Sequence, residues 1–145
     1  MSDVVPIVGR GYCYEDLKVG FRFRTHRRTI READLVAFMT LTGLTEELFS
    51  VKQSRQLVPG ALVYSLAEGL LLPSMQDTGV AFLGATLDVK GPSYVDDTIH
   101  VEGEVLEARL TSKGDRGLVR FRNRVVNQGG ETVLEYNPLR LLKKG

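Results

Sequence analysis

Two residues within one apolar stretch carry the clearest suggestion of chemistry in this chain. The stretch is Val58 to Asp77, VPGALVYSLAEGLLLPSMQD, and the residues are Gly60 and Glu68. Pro59-Gly60 reads as a helix start, where the first backbone N–H groups have no partner inside the helix. Those N–H groups, with the positive end of the helix dipole, suit negative charge developing on a carbonyl oxygen. Gly60 can equally serve a tight turn after Pro59. Glu68 is the only carboxylate between Pro59 and Pro73. Eight residues of helix place it about 12 Å along the axis from Gly60 and within roughly 80° of the same direction. One pocket can therefore touch both. Partial desolvation raises the pKa of a carboxyl and suits it to general base work. The alternative is a glutamate buried at an interface and satisfied by Tyr64, Ser65, an arginine or water. Tyr64 and Ser65 either line the same pocket and bond Glu68, or bond back to the helix.

Other reactive side chains are scattered. His26 and His100 are the only histidines and belong to distant segments with charged or polar neighbours, as on an outward strand face. No His/Cys/Asp cluster has metal-ligand spacing, so no metal is expected. Arg120, Arg122 and Arg124 form a basic stripe at strand spacing, but Glu102, Glu104 and Glu107 occupy the preceding strand. Cross-strand ion pairing is the simpler account, and phosphate binding the other.

The elements that position these residues follow from periodicity. Phe21, Phe23 and Thr25 alternate with Arg22, Arg24 and His26, the pattern of a half-buried strand. Thr29 to Glu32 can form a capping box for a helix carrying Leu35, Phe38, Met39 and Thr42, which Gly43 ends. A polar stretch, Leu44 to Leu57, leads to the apolar run. That run is greasy on all faces, so it is a buried helix that needs wrapping on all sides, with Pro73 bending or ending it. It is too short to span a bilayer, and Glu68 argues against one as well. Strands are then expected at Val80 to Val89, Thr98 to Leu110, Leu118 to Gln128 and Glu131 to Leu142, with turns at Ser112–Gly117 and Gly129-Gly130. Strands following a helix without alternating βαβ units argue for an α+β fold with an antiparallel sheet. One five-stranded sheet cannot wrap such a helix completely, so two chains packed side by side are expected.

The totals set limits. The 145 residues suffice for one domain, with residues 1–11 read as a loosely held arm. A formal net charge of +1 gives no case for nucleic acid or an anionic membrane as partner. The lone Cys13 allows no internal disulfide, and the N-terminus has no signal-peptide core, so a cytoplasmic protein is expected.

Several motifs, taken in order, resemble the MaoC-like acyl dehydratases, the family of the (R)-specific enoyl-CoA hydratases. They are Tyr14-Glu-Asp-Leu-x-Val-Gly20, Arg28-Thr-Ile-x-Glu-Ala-Asp34 through Leu41-Thr-Gly43, Val58-Pro-Gly60 with Ser65-Leu-Ala-x-Gly-Leu70, and Pro92-x-x-x-Asp-Asp-Thr-Ile99. The resemblance covers nearly the whole chain from Tyr12. It implies a hotdog fold, a sheet of five or six antiparallel strands around a long central helix, in a homodimer or dimer of dimers. It also implies an acyl-thioester ligand, usually acyl-CoA, no separate cofactor, and reversible hydration of an enoyl thioester. In the family the Gly60 N–H faces the thioester carbonyl. Active members follow Leu-Thr-Gly with Asp-x-Asn-Pro-x-His, whose Asp and His activate the water. Here the segment is Gly43-Leu-Thr-Glu-Glu-Leu-Phe49, with Leu44 at the Asp position and Phe49 at the His position. Neither side chain can move a proton. Glu46 and Glu47, in the same loop, are possible replacements or simply solvated. Three functions stay open: a diverged hydro-lyase, a hotdog thioesterase using Glu68 with the Gly60 N–H, and a non-catalytic acyl-thioester-binding subunit.

Overall fold

A long helix lying across a curved antiparallel sheet positions everything else. The structure is a computed structural model that describes residues 5–145. Its strands are β1 (Arg22–Arg24), β2 (Arg28–Thr29), β3 (Leu57–Val58), β4 (Gly79–Gly84), β5 (Leu87–Val89), β6 (Ser93–Tyr94), β7 (Thr98–Leu110), β8 (Arg116–Val126), β9 (Thr132–Tyr136) and β10 (Leu139–Lys143). Its helices are α1 (Glu32–Thr42), α2 (Glu47–Ser50) and α3 (Gly60–Met75). β1 and β2 pair with β7, β7 with β8, β8 with both β9 and β10, β9 with β5 and β10 with β4, all antiparallel. β1–β2, β4–β5 and β9–β10 are each one run broken by a bend, so the eight segments make five strand positions. The expected α+β architecture, a hotdog sheet around a central helix, is the one observed. β3 and β6 form a separate two-stranded ladder.

Local signals explain most boundaries, and two depart from expectation. The start of α1 moves to Arg31, whose backbone N–H donates to the Asp34 carboxylate at 2.8 Å. Thr29 cannot serve as the cap because its hydroxyl shares a 2.7 Å hydrogen bond with Thr98 across the β2–β7 ladder. Gly43 ends α1 as expected, at φ 75° in the left-handed region with its N–H on the Met39 carbonyl. Pro73 does not end α3, which runs on to Met75. The carbonyl that the Pro73 ring leaves without a donor belongs to Gly69, an exposed residue that water can reach.

The core is the meeting of α3 with the sheet. Leu62, Val63, Ala67 and Leu71 point inward with Ile99, Val101, Val125 and Val133. Each fully buried large aliphatic side chain contributes on the order of 2 kcal/mol. The helix is not wrapped all round, however. Ala61, Ser65, Gly69, Leu72 and Pro73 leave an open face of mostly small residues. On the same flank the β4–β5 run ends the sheet with Val80, Phe82, Leu83, Leu87 and Val89 exposed, from 41% at Leu87 to 59% at Val89. A long apolar edge strand is ordinarily blunted or covered. The outer sheet face is different: Arg24, Glu102, Arg124 and Glu135 stand in register across four strands, and Arg22, Glu104 and Arg122 across three. Such alternation of charge belongs in water.

At the far end of α3, Gly11 donates its N–H to Gln76 O at 2.9 Å and Tyr12 to Ser74 O at 2.8 Å. A Cβ on Gly11 would lie 2.5 Å from the Met75 nitrogen, so only glycine allows this approach. Arg10 adds an ion pair to Asp77 at 3.1 Å. The arm expected to be loose is thus tied down from Arg10 onward, and residues 1–4 of it lie outside the described residues. No described helix is long and apolar enough to cross a membrane.

Candidate active site

The start of α3 opens into a cavity. The Pro59 carbonyl takes the N–H groups of Leu62 at 3.0 Å and Val63 at 3.2 Å, leaving those of Gly60 and Ala61 as the free ends of the helix. Gly60 borders a cavity of about 250 Å³ whose walls include Phe49, Val58, Val63, Val89 and Ser93. Ser93 is the only polar side chain in that wall, and no titratable group is among the lining residues. A Cβ on Gly60 would stand 3.1 Å from Cγ2 of Val89, so the missing side chain is part of the free space.

The two positions where the family resemblance expects an Asp and a His separate here. Phe49, on the single turn of α2, is a cavity wall. Leu44 follows the end of α1, half-buried, and is not among the lining residues. Glu46 and Glu47 begin α2, are exposed, and do not line the cavity either.

Glu68 does not join Gly60. Its carboxylate is held by Arg140, with Nη1 on Oε1 at 3.0 Å and Nη2 on Oε2 at 2.5 Å, and by the Tyr136 hydroxyl on Oε2 at 2.7 Å. The physical reason is geometric. Two turns of helix carry Glu68 about 12 Å down the axis, where the facing strands are β9 and β10, which bring Tyr136 and Arg140. The Arg140 side chain is 8% exposed and that of Glu68 25%. The space on the core side of Arg140 is about 10 Å³, too small for any ligand group. The Phe82 ring lies 5.3 Å from the guanidinium carbon. Tyr64 meets Tyr136 edge-on at 4.9 Å. Burial first, and then the Glu68 carboxylate, hold the Tyr136 phenol far above its usual pKa. The same two causes, in the same order, raise Tyr64. Ser65 is exposed and donates to the Ala61 carbonyl at 2.8 Å, the back-bonded alternative.

Of the remaining candidates, His26 is exposed, whereas His100, though on the outward face, is only 8% exposed and hydrogen-bonds Glu102 at 2.8 Å. The arginine stripe is spent on neighbours: Arg124 on Glu135 at 3.3 Å, Arg122 near Glu104 at 4.0 Å, and Arg120 on the Asn137 carbonyl at 3.0 Å. No three His, Cys, Asp or Glu side chains converge among the described residues. Sequence reasoning missed Arg140 and Tyr136. An arginine between leucines, Leu139-Arg-Leu-Leu142, was the available signal, since a charge at an inward strand position needs a partner.

Comparison with known proteins supplies the remaining information. No family model matches the sequence. The chain is 29% identical over 123 residues to an (R)-specific enoyl-CoA hydratase from Aeromonas caviae, covering 80% of this chain and 88% of the relative. It superposes with a TM-score of 0.77 on a MaoC-like dehydratase from Rhodospirillum rubrum, at 24% identity over 93% of this chain and 99% of the other. It also superposes, with a TM-score of 0.80 and 20% identity, on a conserved hypothetical protein from Mycobacterium tuberculosis with a double hotdog fold, covering 97% of this chain and 46% of that one. The hydratase likeness along the sequence, the shared hotdog fold and the glycine-started central helix agree, and together they support a MaoC-like family for this chain.

Proposed function

We propose that this protein binds the acyl part of an acyl thioester, such as acyl-CoA, in the cavity at Gly60, with the thioester carbonyl toward the free N–H groups of α3, and that it lacks the acid–base pair for hydration. The observation that carries this is the cavity wall: a helix N-terminus suited to a carbonyl oxygen, surrounded by apolar side chains and one serine. Hydration needs a base for water and an acid for carbon. Leu44 and Phe49 supply neither at the positions where the family resemblance places them. Glu68, the thioesterase candidate, is read as structural because its two oxygens are already occupied by Arg140 and Tyr136.

The protein acts as a pair of chains in this reading. The exposed β4–β5 edge, the groove of about 260 Å³ beside it lined by Leu72, Val80, Phe82 and Arg140, and the open face of α3 form one continuous apolar flank. The double hotdog relative carries roughly two such units in one chain, and a second copy supplies the equivalent cover here. Titration with butyryl-CoA and crotonyl-CoA, followed by calorimetry and by the melting temperature, tests the ligand. Saturation at about 100 times Kd adds about 2.7 kcal/mol of stability. Binding without loss of the enoyl absorbance of crotonyl-CoA is the expected result. Catalysed hydration would overturn the non-catalytic reading, and absence of binding by either thioester would overturn the ligand.

A further inference from the structure

Beside the β3–β6 wall of the Gly60 cavity the fold fixes the placement of a cation. Arg55 precedes β3, and its guanidinium carbon lies 3.7 Å from the centre of the Tyr94 ring. Stacking at that distance holds the guanidinium plane while its N–H edge stays free. Tyr94 belongs to β6, paired with Leu57 of β3, and the neighbouring pair is Val58 with Ser93. The Val95 N–H on the Gln56 carbonyl at 2.9 Å extends the same ladder toward Arg55. Leu57, Val58 and Ser93 are all cavity wall, so Arg55 stands on the rim of that wall. Among the described residues it forms no ion pair. Lys90, also exposed and without an ion pair among the described residues, lies between two further lining residues, Val89 and Gly91.

We propose that Arg55, braced by Tyr94 and assisted by Lys90, is a phosphate-binding site at the cavity mouth that takes the phosphate of the pantetheine arm carrying the acyl group. The inference rests on the acyl-thioester reading of the cavity. Gly60 is five positions after Arg55, a reach of at most about 18 Å of extended chain. A carrier whose thioester carbonyl sits at Gly60 must lead its pantetheine arm outward over that distance, and its phosphate then needs a cation where the arm meets water. A guanidinium with a free fork edge matches a phosphate better than an ammonium does. Coenzyme A and an acyl carrier protein share this phosphate ester, so both sources fit.

Three butyryl thioesters separate the possibilities: butyryl-CoA, butyryl phosphopantetheine, and the butyryl thioester of N-acetylcysteamine, which has no phosphate. In the unsubstituted protein and in Arg55→Ala, Kd is measured for each by calorimetry at two salt concentrations. Arg55→Ala is expected to weaken the first two by about tenfold, the scale of one charge-assisted hydrogen bond, and to leave the third unchanged. The loss should shrink at high salt. Arg55→Lys, which keeps the charge but not the stacked fork, should retain part of the affinity and guards against a folding defect in the alanine variant. Equal loss for both phosphate-bearing thioesters assigns the pantetheine phosphate. Loss for butyryl-CoA alone overturns that assignment in favour of the nucleotide phosphates. Equal changes for all three, or none for any, overturn the phosphate site while the cavity reading stands. Failure of all three to bind the unsubstituted protein overturns both.

Discussion

Replacing Glu68 gives the sharpest separation of structural and catalytic roles. In Glu68→Leu the Arg140 guanidinium keeps its buried position, 8% exposed, and loses both carboxylate oxygens. Breaking a buried pair by removing one partner costs about 3 to 5 kcal/mol. The Glu68 side chain is a quarter exposed, so water reaches the pair from one side and about 3 kcal/mol is the appropriate end of that range. Arg140→Met strands the carboxylate instead, but that group keeps the Tyr136 hydroxyl at 2.7 Å and its exposed edge. A loss of about 2 kcal/mol is expected there. The double variant removes both charges and fills the space with apolar atoms, so it too should lose only about 2 kcal/mol, leaving a coupling of about 3 kcal/mol. Urea unfolding at one fixed protein concentration reads these differences, because the proposed association would make stability concentration-dependent. In a chain of this length Glu68→Leu should lower the melting temperature by about 9 °C. Additive single costs would refute the ion-pair account. A Glu68→Leu protein of undiminished stability that had lost thioester hydrolysis would refute it more directly, by making Glu68 catalytic.

Three further outcomes follow from the same geometry. Gly60→Ala should remove acyl-thioester binding, since its Cβ would enter the cavity 3.1 Å from Val89, while leaving the melting temperature within about 2 °C, because alanine suits a helix better than glycine. Calorimetry and a melting curve on one sample check both halves. Paired Phe82→Glu and Val89→Lys substitutions on the open edge should convert the proposed dimer to a monomer in light scattering while preserving far-UV dichroism. The Tyr136 phenol titrates far above its unfolded value of about 10. Its contribution is therefore complete below pH 10 and is lost as the pH rises beyond it. Tyr136→Phe should lose about 1.5 kcal/mol at pH 8 with the Glu68 hydrogen bond, and show a shallower decline in urea midpoint above pH 10 than the parent. Parallel declines would refute the link.

The contrast between Gly60 and Glu68 shows how far sequence reasoning reached. Pro59-Gly60 announced a helix start, and the free N–H groups of such a start are a local property, set by the residues on either side. Gly43 was legible for the same reason, and β7 began and ended where its alternation did. Glu68 was visible as a carboxylate in an apolar run, but its partner was not. Arg140 and Tyr136 lie 72 and 68 residues further along the chain. No local pattern couples such distant positions. Thr29 failed as a cap for a related reason: a cross-strand hydroxyl 69 residues away claimed it.

The amino-acid sequence alone determined the α+β class, the order of the elements, the buried helix from Gly60, the family resemblance and the presence at positions 44 and 49 of apolar side chains that cannot move a proton. These are properties of composition, period and motif, which need no third dimension. Only the tertiary structure decided which faces of α3 stay open, that Phe49 rather than Leu44 walls the cavity, and that Glu68 is committed to Arg140. It also brought Arg55 onto Tyr94 beside the β3–β6 wall of the cavity. Each of these depends on which side of a strand or helix meets which distant segment, and that is fixed when the sheet curves around α3 and Gly11, Tyr12 and β10 meet it.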